Sequence, residues 1–205
     1  MKNSLVIGIT GILGSGKTTV CQILRNMGFK VISCDEIVHQ LLEKKSIIKK
    51  IEKIFGKNVI LKNKIDRKKL RKIIFENPKE KEKLENLLHP FVFKRINREI
   101  LDTRKNGGII FIEIPLLFET KSESLFDKII VVKALRKKIK ERLKNRYSED
   151  EIKKIWKTQL PLSYKEKKSD FVIDNSGSIL ETEKKIKKIL LRLKIKKGVK
   201  DGRKD

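Results

Sequence analysis

Cysteine is scarce in this chain: Cys21 and Cys34 are the only two in 205 residues. That excludes a disulfide framework, and the pair lacks the spacing of a metal site. Both lie in apolar segments and read as buried free thiols. Long apolar runs are missing too. No stretch of eighteen apolar residues occurs, which excludes a membrane-spanning helix of the usual kind. The opening Met1-Lys2-Asn3-Ser4 leads straight into an apolar strand. It has neither the apolar core nor the cleavage site of a signal peptide, so a cytoplasmic protein is expected. Aromatic residues make up 6%, and no aromatic RNA-binding motif is present. Acidic residues are outnumbered, 26 against 52 basic, leaving a net charge of +26. Such a surplus raises the question of a nucleic-acid partner. The lysines are spread along the whole chain rather than gathered in a patch, so a solvated surface is the reading, with no nucleic-acid or membrane partner. The field would still draw a phosphorylated substrate toward a cleft.

What the chain does have is Gly11-Ile12-Leu13-Gly14-Ser15-Gly16-Lys17-Thr18. It fits G-x-x-x-x-G-K-[ST], the phosphate-binding P-loop. Leu5 to Ile9 before it is short, apolar and β-branched and reads as a buried strand. Thr19 to Met27 after it reads as an amphipathic helix ending at Gly28. In that context backbone N–H groups converge into a nest at the positive end of a helix dipole. Lys17 would reach the β- and γ-phosphates, and the Thr18 hydroxyl would ligate the Mg²⁺ that accompanies a nucleoside triphosphate.

Further strands are predicted at Val31–Cys34, Ile109–Glu113, Lys128–Val132 and Asp170–Asp174. Between the second and third, residues 46–106 read as almost wholly helical. Asp66 caps one helix there, and His89-Pro90 breaks another. Helices are expected at Arg136–Arg146, Glu149–Thr158 and from Ile179 to Leu193. The fold class is therefore α/β: a doubly wound, five-stranded parallel sheet of the P-loop NTP hydrolase and nucleotide kinase type. Its core would be 1–35, 107–135 and 160–194, with a helical acceptor-binding insertion at 36–106 and a helical lid at 136–159. Residues 195–205 would form a frayed basic tail.

The P-loop fixes triphosphate binding but not the reaction. A GTPase switch, a motor or nucleic-acid-handling ATPase, and a small-molecule kinase compete. Asn63-Lys64-Ile65-Asp66 matches the guanine-reading N-K-x-D, and Asp174-Asn175-Ser176-Gly177 matches D-x-x-G. Their order is the reverse of a GTPase's, and the first falls inside the helical insertion. A motor would need a strand ending in an acidic pair; Glu113 is one acid followed closely by Pro115. A kinase for an alcohol needs a carboxylate base near the γ-phosphate and cations over the leaving phosphates. Asp35, expected at the carboxyl end of the second strand, is the candidate base; its competing role is a helix N-cap.

The whole pattern resembles the dephospho-CoA kinase family from about Leu5 to Leu193. The resemblance rests on Thr10 to Thr19, on Val31-Ile32-Ser33-Cys34-Asp35 against V-I-D-A-D, and on Ile65-Asp66-Arg67-Lys68-Lys69-Leu70. It continues with Leu87-Leu88-His89-Pro90, Pro115-Leu116-Leu117-Phe118-Glu119, the pair Arg142 and Arg146, and Val172 to Gly177. Ser33 replaces the first aspartate of D-A-D, and Glu113 stands where many members carry aspartate. The resemblance implies transfer of a phosphoryl group from ATP, with Mg²⁺, to the ribose 3′-hydroxyl of dephospho-CoA. It implies Asp35, Lys17 and Arg142 as catalytic residues. ATP would be held by Gly11, Leu13, Gly14, Ser15, Gly16, Lys17, Thr18, Thr19, Arg142, Arg146, Asn175 and Gly177. The acceptor would meet Asp35, Arg67, His89, Pro115, Leu116 and Leu117. Competing roles stay open: helix termination for His89, core packing for Leu116, and the turn into the last helix for Asn175 and Gly177. ATP and dephospho-CoA are the implied partners of a monomer or weak homo-oligomer. Arg142 and Arg146, four apart, are expected on one face of a lid helix.

Overall fold

The computed structural model describes residues 4–195. They form strands β1 (Ser4–Thr10), β2 (Lys30–Ser33), β3 (Ile60–Leu61), β4 (Lys64–Ile65), β5 (Gly108–Glu113), β6 (Lys128–Lys133) and β7 (Phe171–Asp174). The helices are α1 (Lys17–Asn26), α2 (Cys34–Leu41), α3 (Lys45–Phe55), α4 (Arg67–Glu76), α5 (Pro78–Asn106), α6 (Arg136–Leu143), α7 (Glu149–Lys157), α8 (Leu162–Lys168) and α9 (Ile179–Arg192). The chain divides into two compact units, Ser33–Glu99 and the remainder.

The larger unit is the α/β core, and its sheet is parallel with order β2-β5-β1-β6-β7. The expected five strands are all there. β1 lies at the centre, Ile9 opposite Glu113 of β5 and Thr10 opposite Val131 of β6. The chain leaves β1 toward the β2 edge and leaves β6 toward the β7 edge, so a switch point opens between the carboxyl ends of β1 and β6, where ligands bind in doubly wound sheets. The strands read as continuous apolar runs because both faces are covered. Ile7, Ile9, Phe111, Val132 and Ile173 pack with Val20, Leu24, Ile186 and Leu190 in one buried cluster. Each such side chain gives about 1.5–3 kcal/mol relative to exposure. At the other end of the sheet Asp127 takes the N–H of Val6 and both terminal nitrogens of Arg104, each at 2.7 Å. Burial pushes that carboxyl up, but the Arg104 and Val6 hydrogen bonds outweigh it and hold it below the ordinary range.

Beyond the strands of the larger unit, α6 and α8 depart from expectation. α8 was not expected at all. α6 ends at Leu143, so Arg146 lies in the following turn and the two arginines do not share a helix face. The reason is local: Ser148 and Glu151 form a capping box that starts a new helix at Glu149. α9 ends in a Schellman motif, with Ile195 N–H on Leu190 C=O and Lys194 N–H on Leu191 C=O. Ile195, the first residue of the expected frayed tail, is therefore packed and buried; residues 196–205 lie outside the described residues.

The smaller unit is helical but not wholly so. β3 and β4 form a short antiparallel hairpin, turned by Lys62 and Asn63 with both φ positive. The N-K-x-D match falls on this turn, which accounts for it without guanine. Asp66 caps α4 as expected, accepting from the N–H groups of Lys68 and Lys69 at 3.1 Å. His89-Pro90 does not break its helix: α5 runs unbroken from Pro78 to Asn106 with Pro90 inside. Proline costs one backbone bond there. Leu84, Leu88, Val92, Ile96 and Ile100 are buried at every fourth position across it, and that stripe holds the helix together.

Candidate active site

The phosphate nest is built by a loop between β1 and α1. Gly16 occupies the N-cap position of α1 in the left-handed region, with no side-chain cap. The first N–H groups of α1 thus lack the capping side chain that would close them to a ligand. Ser15 Oγ is buried with no hydrogen-bond partner among the described residues. An orphan hydroxyl beside open N–H groups fits a ligand rich in acceptor oxygens. Lys17 is buried, and its Nζ folds back over the loop, 3.0 Å from Gly11 C=O and 3.2 Å from Ile12 C=O. Thr18 is exposed and its hydroxyl has no partner among the described residues. Thr19 is half-buried behind it.

The α6–α7 segment packs directly on this loop. Ile139, Leu143 and Ile152 form a small cluster with Ile12, Leu13 and Trp156. Gln159 Oε1 accepts the Leu13 N–H at 3.1 Å, so that amide is used by the protein rather than left for phosphate. Gly14 has φ +79°, and a Cβ there would come within 2.6 Å of Ile139. Arg142 donates to Gly14 C=O at 3.3 Å, Ser15 C=O at 3.2 Å and Asn175 C=O at 2.7 Å. Of the two expected lid cations, Arg142 hydrogen-bonds the loop, and Arg146 sits exposed in the turn after α6.

Asn175 is 2% exposed, and its carboxamide donates to Ser15 C=O at 3.0 Å. Gly177 is exposed in the turn ahead of the Ser178–Glu181 capping box of α9. Glu113, at the end of β5, is buried, and its carboxylate takes the Cys21 thiol. Pro115 and Leu116 are half-buried, but Leu117 is fully buried and packs toward Gly8. Core packing thus describes Leu117 better than an acceptor wall does.

The other site residues belong to the helical unit. Helix α2 begins at Cys34, two residues earlier than a helix capped by Asp35 would. Asp35 therefore lies in its first turn, two residues past β2, with Ser33 at the N-cap position. Asp35 is not the cap. Its carboxylate is exposed and has no partner among the described residues. Cys34, expected buried, is half-buried for the same reason. Arg67 Nη1 meets the His39 ring, where the unprotonated nitrogen accepts from it, and Nη2 lies 3.3 Å from Glu43. His89 meets Phe93 edge to face at 6.1 Å.

Sequence reasoning missed Thr182 and Gln159. Thr182 did leave a signal: it is the one polar residue on the buried face of α9, beside Ile186, Ile189 and Leu190. Gln159 left none, because its partner is a backbone amide.

Residues 5–181 match the family model described as "Dephospho-CoA kinase". Among curated relatives, a dephospho-CoA kinase of Carboxydothermus hydrogenoformans is 40% identical, over 93% of this chain and 95% of its own. One of Aquifex aeolicus is 38% identical, over 89% and 94%. A solved dephospho-CoA kinase of Campylobacter jejuni superposes with a TM-score of 0.66 at 32% identity, covering 92% of this chain and 96% of its own.

Proposed function

The chain belongs to the dephospho-CoA kinase family, and on that premise we propose how its own residues carry out the transfer. The reaction moves the γ-phosphoryl group of ATP to the ribose 3′-hydroxyl of dephospho-CoA, giving coenzyme A and ADP, the last step of coenzyme A biosynthesis. The observation that carries the reading is the nest itself: uncapped N–H groups, an orphan Ser15 hydroxyl and a buried Lys17 within one loop.

Lys17 exchanges its two loop carbonyls for phosphate oxygens when ATP arrives. A cation leaving carbonyl dipoles for a triphosphate gains charge-assisted bonds. Arg142 does the same from the lid, releasing Gly14 and Ser15 to grip the transferring group, and the segment 136–159, already packed on the loop, shifts with it. Asp35 accepts the proton of the 3′-hydroxyl as its oxygen attacks phosphorus. An exposed carboxylate without a partner is suited to that, since no internal bond must break first. Arg67 and His89 contact the acceptor from the helical unit.

Thr18 Oγ1 offers a hard oxygen to the Mg²⁺ that comes with ATP. Among the described residues no group of three or more His, Cys, Asp or Glu could hold a metal by protein ligands alone. The ion, when bound, neutralises charge on the phosphates. No described helix is long and apolar enough to cross a membrane, and we place the reaction in the cytoplasm, where ATP and dephospho-CoA meet.

The deciding experiment is an acceptor screen with MgATP, reading ADP release. Dephospho-CoA should support turnover, while adenosine, thymidine and shikimate should not. Turnover with one of those three and none with dephospho-CoA would overturn the assignment.

A further inference from the structure

We propose that Asn175, backed by Thr182, is a positioning residue that aims the N–H groups of the phosphate nest. The inference rests on the nucleotide-binding reading given above. Asn175 Nδ2 donates to Ser15 C=O at 3.0 Å and, more weakly, to Gly16 C=O at 3.5 Å. Its Oδ1 accepts from Thr182 Oγ1 at 2.8 Å. Its backbone N–H donates to Lys133 C=O at 2.8 Å, which ties the residue to β6. The group is buried on every side.

A peptide unit is planar and trans, so its C=O and N–H point in opposite directions. Holding Ser15 C=O therefore aims Gly16 N–H, and holding Gly16 C=O aims Lys17 N–H. Both carbonyls are held from the side away from the ligand. Gly16 sits so close to this brace, with φ +91°, that a Cβ would fall 1.9 Å from Asn175 Nδ2. Arg142 also holds Ser15 C=O. Once Arg142 turns to the phosphates, Asn175 is what keeps that carbonyl in place. The donor end of the carboxamide faces the loop, and its acceptor end faces Thr182. Nδ2 is thus spent on the loop, and the side chain acts on the nucleotide through it.

The test compares MgATP with magnesium tripolyphosphate, which has no base, by isothermal titration calorimetry. Asn175→Ala should weaken both by the same factor, about tenfold, as expected for losing a buried hydrogen bond. Thr182→Val should weaken both by about threefold, Thr182→Ser should restore them, and the KM for dephospho-CoA should stay at the wild-type value. A loss confined to ATP would mean a base contact and overturn the proposal. Wild-type affinity for both ligands in the variants would overturn it as well. If Asn175→Ala does not fold, the Thr182→Val and Thr182→Ser pair decides by the same criteria. If the wild-type protein binds neither probe, the nucleotide reading itself fails, and the proposal with it.

Discussion

The two halves of the proposed chemistry are built differently. On the nucleotide side the loop's carbonyls are tied down by Lys17, Arg142 and Asn175, and Leu13 is tied to Gln159. On the acceptor side, among the described residues, Asp35 is untied and Arg67 is held by the surface partners His39 and Glu43. One half spends its side chains on setting a backbone, the other presents side chains directly. Damage to the first should therefore reach both folding and binding. Damage to the second should reach turnover and leave the fold alone.

The largest effect is expected from Lys17→Ala, which should abolish phosphoryl transfer at any ATP concentration. Appreciable turnover at saturating ATP would mean the loop does not bind the triphosphate as described. Next comes Asp35→Asn. Losing the general base should lower kcat by about a hundredfold to ten-thousandfold. Because the group is exposed and unpartnered, the melting temperature and the ATP affinity should not move. A stability loss with normal kcat would return Asp35 to a structural role. Third, Gly14→Ala should cost about 2 kcal/mol in urea unfolding, from the positive φ and the clash with Ile139 and Leu143. An unchanged midpoint would show that the loop and α6 part easily, and the contrast between the halves would weaken. The smallest is Arg67→Ala. It should raise the KM for dephospho-CoA by about tenfold, as for a lost charge-assisted contact. Stability should stay within about 0.5 kcal/mol, as for a surface ion pair. A raised KM for ATP instead would put Arg67 on the wrong half.

This contrast also explains what could be read from sequence. The P-loop, its flanking strand and helix, and the five-strand order of apolar runs were legible because they depend on residue type and period. The Asp66 cap was legible for the same reason. The unbroken α5 was not, since local proline chemistry argued for a break and only the buried stripe from Leu84 to Ile100 overrode it. The β3–β4 hairpin lacked glycine at its turn and hid among lysines. Arg146 was misplaced because a capping box two residues later competes for the chain. The Asn175 carboxamide was visible as a motif residue, but its partners are main-chain atoms, and sequence carries no sign of which carbonyl a side chain will meet.

The thiol of Cys21 has a practical consequence. It is buried against Glu113, and that burial, reinforced by the neighbouring carboxylate, raises its pKa well above the ordinary thiol value. Alkylating reagents attack thiolate, so Cys21 should stay silent to them at neutral pH. Cys34 is the only other cysteine, half-buried and one residue before Asp35. A fluorophore added to the unmodified sequence would thus settle at a single place, on the first turn of the helix that carries the proposed base.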